Sequence, residues 1–215
     1  MKKISHSRNE SNSRSAPRKA ASRSRSTRSK AAPLNEEWLQ SFFSEMLAVE
    51  RGGVQLYEKA LEELVHEELR SRLEQYHEQT QRHVELCEEM LSAAGSDDNS
   101  MAAAAEAAEH KAQGLLTAEV PEELLDINNL ENLVLAETKD HWNWELLSSV
   151  MDEIEDRELK KLVSRAVREV RKQENDHVTW SQKMLTRIAT EAAHQMPEAE
   201  EHEEEEEGEG EESRD

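Results

Sequence analysis

Four stretches of this chain repeat apolar residues every three to four positions, and each stripe is broken near its middle by a residue that a helix core does not ordinarily accept. Glu50 interrupts Leu39, Phe43, Met46, Tyr57 and Leu64, and His83 interrupts Leu69, Leu73, Tyr76, Cys87 and Met90. Glu137 interrupts Leu130, Leu133, Trp144 and Leu147, while Glu174 and His177 interrupt Val163, Val170, Met184 and Ile188. The spacing dictates amphipathic helices. A lone carboxylate on such a face is costly to bury. The four stripes must therefore associate in a way that gives these five side chains partners.

Scarcity of chain breakers supports the same reading, since 215 residues contain only 6 Gly and 4 Pro and 35% of them are charged. Such a composition favours long helices with solvated outer faces. The expected fold class is all-α, an antiparallel four-helix bundle. Asn35 reads as the N-cap of a helix that ends near residue 65, and a tight reversal is expected at His66–Glu68. The second helix then runs to Gly95 as a C′ glycine. The third begins after Asp126, a second reversal falls near Asp156 and Arg157, and Pro197 closes the fourth. Between Ser96 and Leu125 lies a polar, alanine-rich connection with room for a short helix but no strong apolar stripe. Antiparallel neighbours need only about 2–8 connecting residues, so this one is long enough to cross the length of a bundle.

Charge divides the chain further. The net charge of −21 hides a basic arm, residues 1–34, in which ten Lys or Arg stand against Glu10 alone. It also hides an acidic tail, residues 197–215, with twelve acids against Arg214. Both are expected to be disordered, flanking a bundle over residues 35–196. The acidic body should repel DNA and phospholipid surfaces. The arm, by contrast, can neutralise phosphates, although it has no aromatics to stack on bases. Nucleic acid or a protein partner is thus a candidate for residues 1–33. With Cys87 the only cysteine, an internal disulfide is ruled out and a reducing compartment is expected. No stretch is apolar enough to cross a membrane and the N-terminus lacks the apolar region of a secretory signal. The arm is Arg- and Ser-rich, as transit peptides are, but has almost no bulky residues for an amphipathic face. The expected compartment is the cytoplasm, and the charged outer faces suggest a monomer or small oligomer.

The chain also reads as two related halves. AVERGGVQLY, around Glu50, parallels LAETKDHWNW, around Glu137; EQTQRHVELCEEML, around His83, parallels KQENDHVTWSQKML, around His177. If the hairpins turn near residues 66 and 157, Glu50 lies level with His83, and Glu137 with Glu174 and His177. Glu and His three residues apart on one helix project toward one point. Oxygen and nitrogen donors without thiolate suit iron or manganese, one or two ions, ahead of zinc.

On Glu50, Glu137 and the E-N-D-H of Glu174 and His177, the chain resembles the ferritin-like superfamily, which includes the rubrerythrins and other di-iron or di-manganese carboxylate proteins, over roughly residues 36–192. The resemblance implies a bundle with its long crossover between the second and third helices. It implies metal ligation by Glu50, His83, Glu137, Glu174 and His177, with Glu50 and Glu137 as terminal carboxylates and Glu174 bridging. It also implies iron or manganese redox chemistry with O₂ or peroxide. The chain departs from the pattern at Thr80, where the first half lacks its bridging carboxylate; recruiting Glu78 instead would require distortion of the helix. A degenerate site in a non-catalytic helical interaction protein is the alternative. His141 lies off the seam of Glu137, and Tyr57, Tyr76, Trp142, Trp144 and Trp180 read as packing aromatics.

Overall fold

The structure is a computed structural model that describes residues 34–96, 103–117 and 119–195. The basic arm over residues 1–33, the tail from residue 196 and the closing Pro197 lie outside the described residues. Asn35 begins α1, Glu36–Glu62, by accepting a hydrogen bond from Trp38 N at 2.9 Å, which satisfies one of the free amides of the first turn. The chain then reverses through a single 3₁₀ turn, Glu67–Leu69, into α2, Arg70–Ala93. Gly95 follows with φ 77°, the left-handed conformation that glycine adopts without a Cβ clash. After α3, Ala103–Leu116, and α4, Leu125–Val150, the Asp156 carboxylate accepts from Leu159 N at 2.7 Å and starts α5, Arg157–Gln195. All regular structure among the described residues is helical. No described helix is long and apolar enough to cross a membrane.

α1 packs against α2, α3 and α4, and α5 packs against α4 and α2. The α1–α2 reversal is tied to the start of α4 by Asp126, whose carboxylate accepts from Val65 N at 3.1 Å and His66 N at 2.7 Å and meets His66 Nδ1 at 2.5 Å. Asn129, one turn later, donates to Glu63 at 2.9 Å. These contacts fix the vertical register of α4 against the first two helices.

The long connection contains a packed helix, α3, in addition to the four read from the stripes. Its alanines seat it closely on α1: Ala105 and Ala108 are buried against Ala48, and a Cβ on Gly52 would stand 2.8 Å from Ala112 Cβ. Glycine at position 52 is thus required by the approach of a neighbouring helix. Beside that alanine cluster, the apolar core forms two larger ones. One cluster contains Phe43, Met46, Leu86, Met90, Trp144 and Val170, and the other Leu56, Leu73, Leu130, Leu133 and Ile188. A layer of buried polar side chains belongs to neither.

Candidate metal centre

That polar layer holds all five residues expected from the sequence. Glu50, His83, Glu174 and His177 are wholly buried and Glu137 nearly so. α1 contributes Glu50, α2 His83, α4 Glu137, and α5 both Glu174 and His177, each at the point where its apolar stripe crosses the centre of the bundle. His83 Nδ1 lies 3.4 Å from Glu50 Oε2 and 3.1 Å from Glu174 Oε1. His177 Nδ1 lies 3.2 Å from Glu137 Oε2 and 3.5 Å from Glu174 Oε1.

A sixth residue, Asp140, joins them. It stands three residues after Glu137 on the same face of α4, the spacing that joins Glu174 to His177, and is buried beside Glu50 and Glu174. Two groups of donors result: Glu50, His83, Asp140 and Glu174, and then Glu137, Glu174 and His177, with the chosen atoms of each group within 4.8 Å of one another. Donors about 2.1 Å from one cation stand up to about 4.2 Å apart. Either group is therefore near the span that the donors of one ion cover. Glu174 is common to both. These buried groups can hold a metal ion.

The orientation of the donor atoms supports this use. Glu50 Oε2, His83 Nδ1, Asp140 Oδ1 and both oxygens of Glu174 are buried without a hydrogen-bond partner, although buried polar atoms are nearly always paired. His83 Nδ1 and Glu174 Oε1 are close enough to bond, yet they are not aimed at each other. They are arranged as donors around a common point are. The other nitrogen of each imidazole is occupied: His83 Nε2 meets Gln173 Oε1 at 2.8 Å, and His177 Nε2 meets Gln79 Oε1 at 2.8 Å. With the amide oxygen accepting, Nε2 donates and Nδ1 is the nitrogen that faces the carboxylates, donating to Glu137 at 3.2 Å in His177; a cation that displaces the Nδ1 proton would meet the arrangement of a metal-ligating histidine.

The two halves of the chain exchange these supports. Gln79 and Gln173 precede Thr80 and Glu174, and each serves the imidazole of the other half. Trp144, seven residues after Glu137, donates from Nε1 to Glu50 Oε1 at 2.8 Å. Tyr57, seven residues after Glu50, sets its hydroxyl beside Glu137 with no other partner. The exchange breaks at one place. Where the second half has Asp140 and Glu174, the first has Gly53 and Thr80, which pack together: a Cβ on Gly53 would lie 3.2 Å from Thr80 Cγ2. Thr80 Oγ1 is spent on Tyr76 O at 3.0 Å. The acid missing at Thr80 is matched by Asp140, and Glu78 stays on the surface. His141 stands outside both groups.

The electrostatics follow from crowding four carboxylates into a dry layer. Burial, then the charges of Glu50 and Glu174, raise the Asp140 carboxyl well above its ordinary range. Burial and the Glu137 charge do the same to Glu174, against the opposing pull of His83. Burial alone would lower the His83 imidazole, but Glu50 and Glu174 together outweigh it and hold it well above its ordinary value. Burial is the largest single effect on Glu137 and would raise it, but His177 and the hydrogen bonds from Tyr57 and Glu174 together outweigh burial and lower it. A cation in this layer would replace protons as the neutralising charge. Cys87 takes no part; its thiol is raised by burial and packs in the apolar cluster with Met90 and Leu86.

Compared with known proteins, the chain matches no family model, no curated protein and no solved structure.

Proposed function

We propose that the chain is a ferritin-like protein: two antiparallel hairpins, α1–α2 and α4–α5, joined by a crossover through α3, holding two iron or manganese ions in the polar layer. The observation that carries this reading is the convergence of unpartnered buried oxygens and an imidazole nitrogen on common points. In such bundles four carboxylates and two histidines from four helices serve a pair of ions. Glu50, Glu137, Asp140, Glu174, His83 and His177 make up that count, with Asp140 supplying the acid that Thr80 lacks.

Glu50, His83, Asp140 and Glu174 would hold one ion, and Glu137, Glu174 and His177 the other, with Glu174 bridging. Iron or manganese there would supply one-electron chemistry toward O₂ or peroxide, whereas zinc would supply none. The residues of the chain prepare the site for it. Gln79 and Gln173 fix which imidazole nitrogen is free, Trp144 orients Glu50, and the apolar clusters on either side keep bulk water from the layer. The second group has three protein donors against four in the first.

The test is equilibrium binding of Mn²⁺ to chelator-stripped protein. Two ions per chain are expected, with Glu174→Ala losing both and Asp140→Asn weakening one while helical content is retained. A folded protein that binds neither Mn²⁺ nor Fe²⁺, and whose melting temperature Glu174→Ala leaves unchanged, would assign the layer to a metal-free Glu–His network.

A further inference from the structure

α4 is apolar on two sides. Its inner face carries Leu130, Leu133, Trp144 and Leu147 into the core. Its outer face carries Leu135, Trp142 and Leu146, which are 59%, 67% and 42% exposed. With Thr138 and Ser149 these lie along one line of a 3.6-residue helix. The charges beside that line are turned away from it: Lys139 pairs with Glu45 on α1 at 2.7 Å, and Glu145 with Arg171 on α5 at 2.6 Å. The outer faces of α2 and α5 are unlike this, with Glu74, Glu78 and Glu85 on one and Arg165, Arg168 and Lys172 on the other exposed to solvent. A Trp and two Leu in a line charged only at its Glu131 end stand out on so charged a protein.

We propose that this face joins two copies of the chain, α4 packed against α4 antiparallel about a twofold axis. The rest of the chain has little with which to cover it. Outside the described residues the bulky apolar side chains are Met1, Ile4, Met101 and Met196. A charged partner would find its complement on α2 or α5. Two chains that each carry −21 approach with least repulsion where neither presents charge. An interface of this kind is isologous, the same patch on both sides.

Like charge also selects the direction. Parallel packing would bring Glu131 and Glu145 opposite their own copies. Antiparallel packing with the axis between residues 138 and 139 sets Glu131 opposite the partner's Leu146 and Trp142 over the partner's Leu135. Leu135 lines a cavity of about 380 Å³ between α1, α3 and α4, walled by Val49, Leu56, Ala108 and Leu115 with Glu45, Lys111 and Lys139 also in its lining, so the indole rests beside that cavity. From Glu131 to Ser149 the stripe is about 27 Å long at 1.5 Å per residue and about 10 Å wide. That is roughly 270 Å² per copy, well under the ~800 Å² of a standard stable interface. The dimer is therefore concentration-dependent.

Sedimentation of the full chain across the micromolar range tests this. The mass should rise with concentration from 24.7 kDa toward twice that value. Trp142→Glu should raise the dissociation constant about tenfold or more, as loss of a central aromatic anchor does, and leave the melting temperature of the monomer unchanged. Thr138→Cys, next to the axis, should cross-link under mild oxidation, whereas Leu146→Cys should not. Constant sedimentation at 24.7 kDa, a dimer indifferent to Trp142→Glu, or cross-linking at Leu146→Cys would each overturn the proposal. A mass increase that requires a co-purified protein would give the face to that partner instead.

Discussion

Each imidazole of the polar layer is held by an amide from the opposite half of the chain, and this exchange is the most specific feature at the scale of single residues. Gln79 and Gln173 are only half-buried, so replacing either alters little apolar packing. Gln173→Leu should weaken the ion held with His83, and Gln79→Leu the ion held with His177, each about tenfold to a hundredfold as outer-sphere substitutions do. Binding isotherms of the two variants would check this. Equal weakening of both ions in both variants would mean that the amides act on the fold and not on the imidazoles. The five interrupting residues were legible in the sequence because each breaks an apolar stripe. Asp140 was on the page too, on the seam of Glu137 and three residues after it, but an acid in a chain this acidic carries little signal until its burial is known. Nothing local marks the glutamines, since their partners lie 90 and 98 residues away.

At the scale of elements, the boundaries written in local chemistry were readable. Asn35 caps α1, Gly95 takes a positive φ after α2, and the first reversal falls where the stripe loses phase, at residues 63–69. α3 was less readable, because alanine gives a helix propensity without a direction. What positions it is the lack of a side chain on Gly52, a property of the surface it lands on. The outer face of α4 was missed for a related reason. The inner stripe accounts for Leu130, Leu133, Trp144 and Leu147, and a second, outward stripe through Leu135, Trp142 and Leu146 shows only when the inner one has been placed. The register of α4 rests on Asp126 reaching the amides of Val65 and His66, a contact across 60 residues that periodicity cannot reveal.

Over the whole molecule, protonation and metal binding oppose each other. Without a cation, Asp140 and Glu174 have raised carboxyl values, so the folded state keeps protons that the unfolded chain releases above about pH 4. Their stabilising contribution is full at lower pH and is lost as pH rises. His83, also raised, contributes below its unfolded value of about 6.5 and loses that contribution as pH climbs through its folded value. Glu137, lowered, acts in the opposite sense and only on acidification. Stripped protein should therefore lose stability on going from about pH 6 to about pH 8, while ions that must displace these protons bind more tightly. The rise in melting temperature on adding Mn²⁺ should be larger at the higher pH; an increment that shrinks would contradict the assignment of protons to these groups. The central claim is that Glu174 joins two ions. It is tested most directly by electron paramagnetic resonance of the protein loaded with Mn²⁺. Two ions sharing one carboxylate at about 3.5–4 Å should give an exchange-coupled signal that collapses to that of isolated ions or free Mn²⁺ in Glu174→Ala. A simple six-line spectrum of isolated ions in the loaded wild-type chain would contradict it.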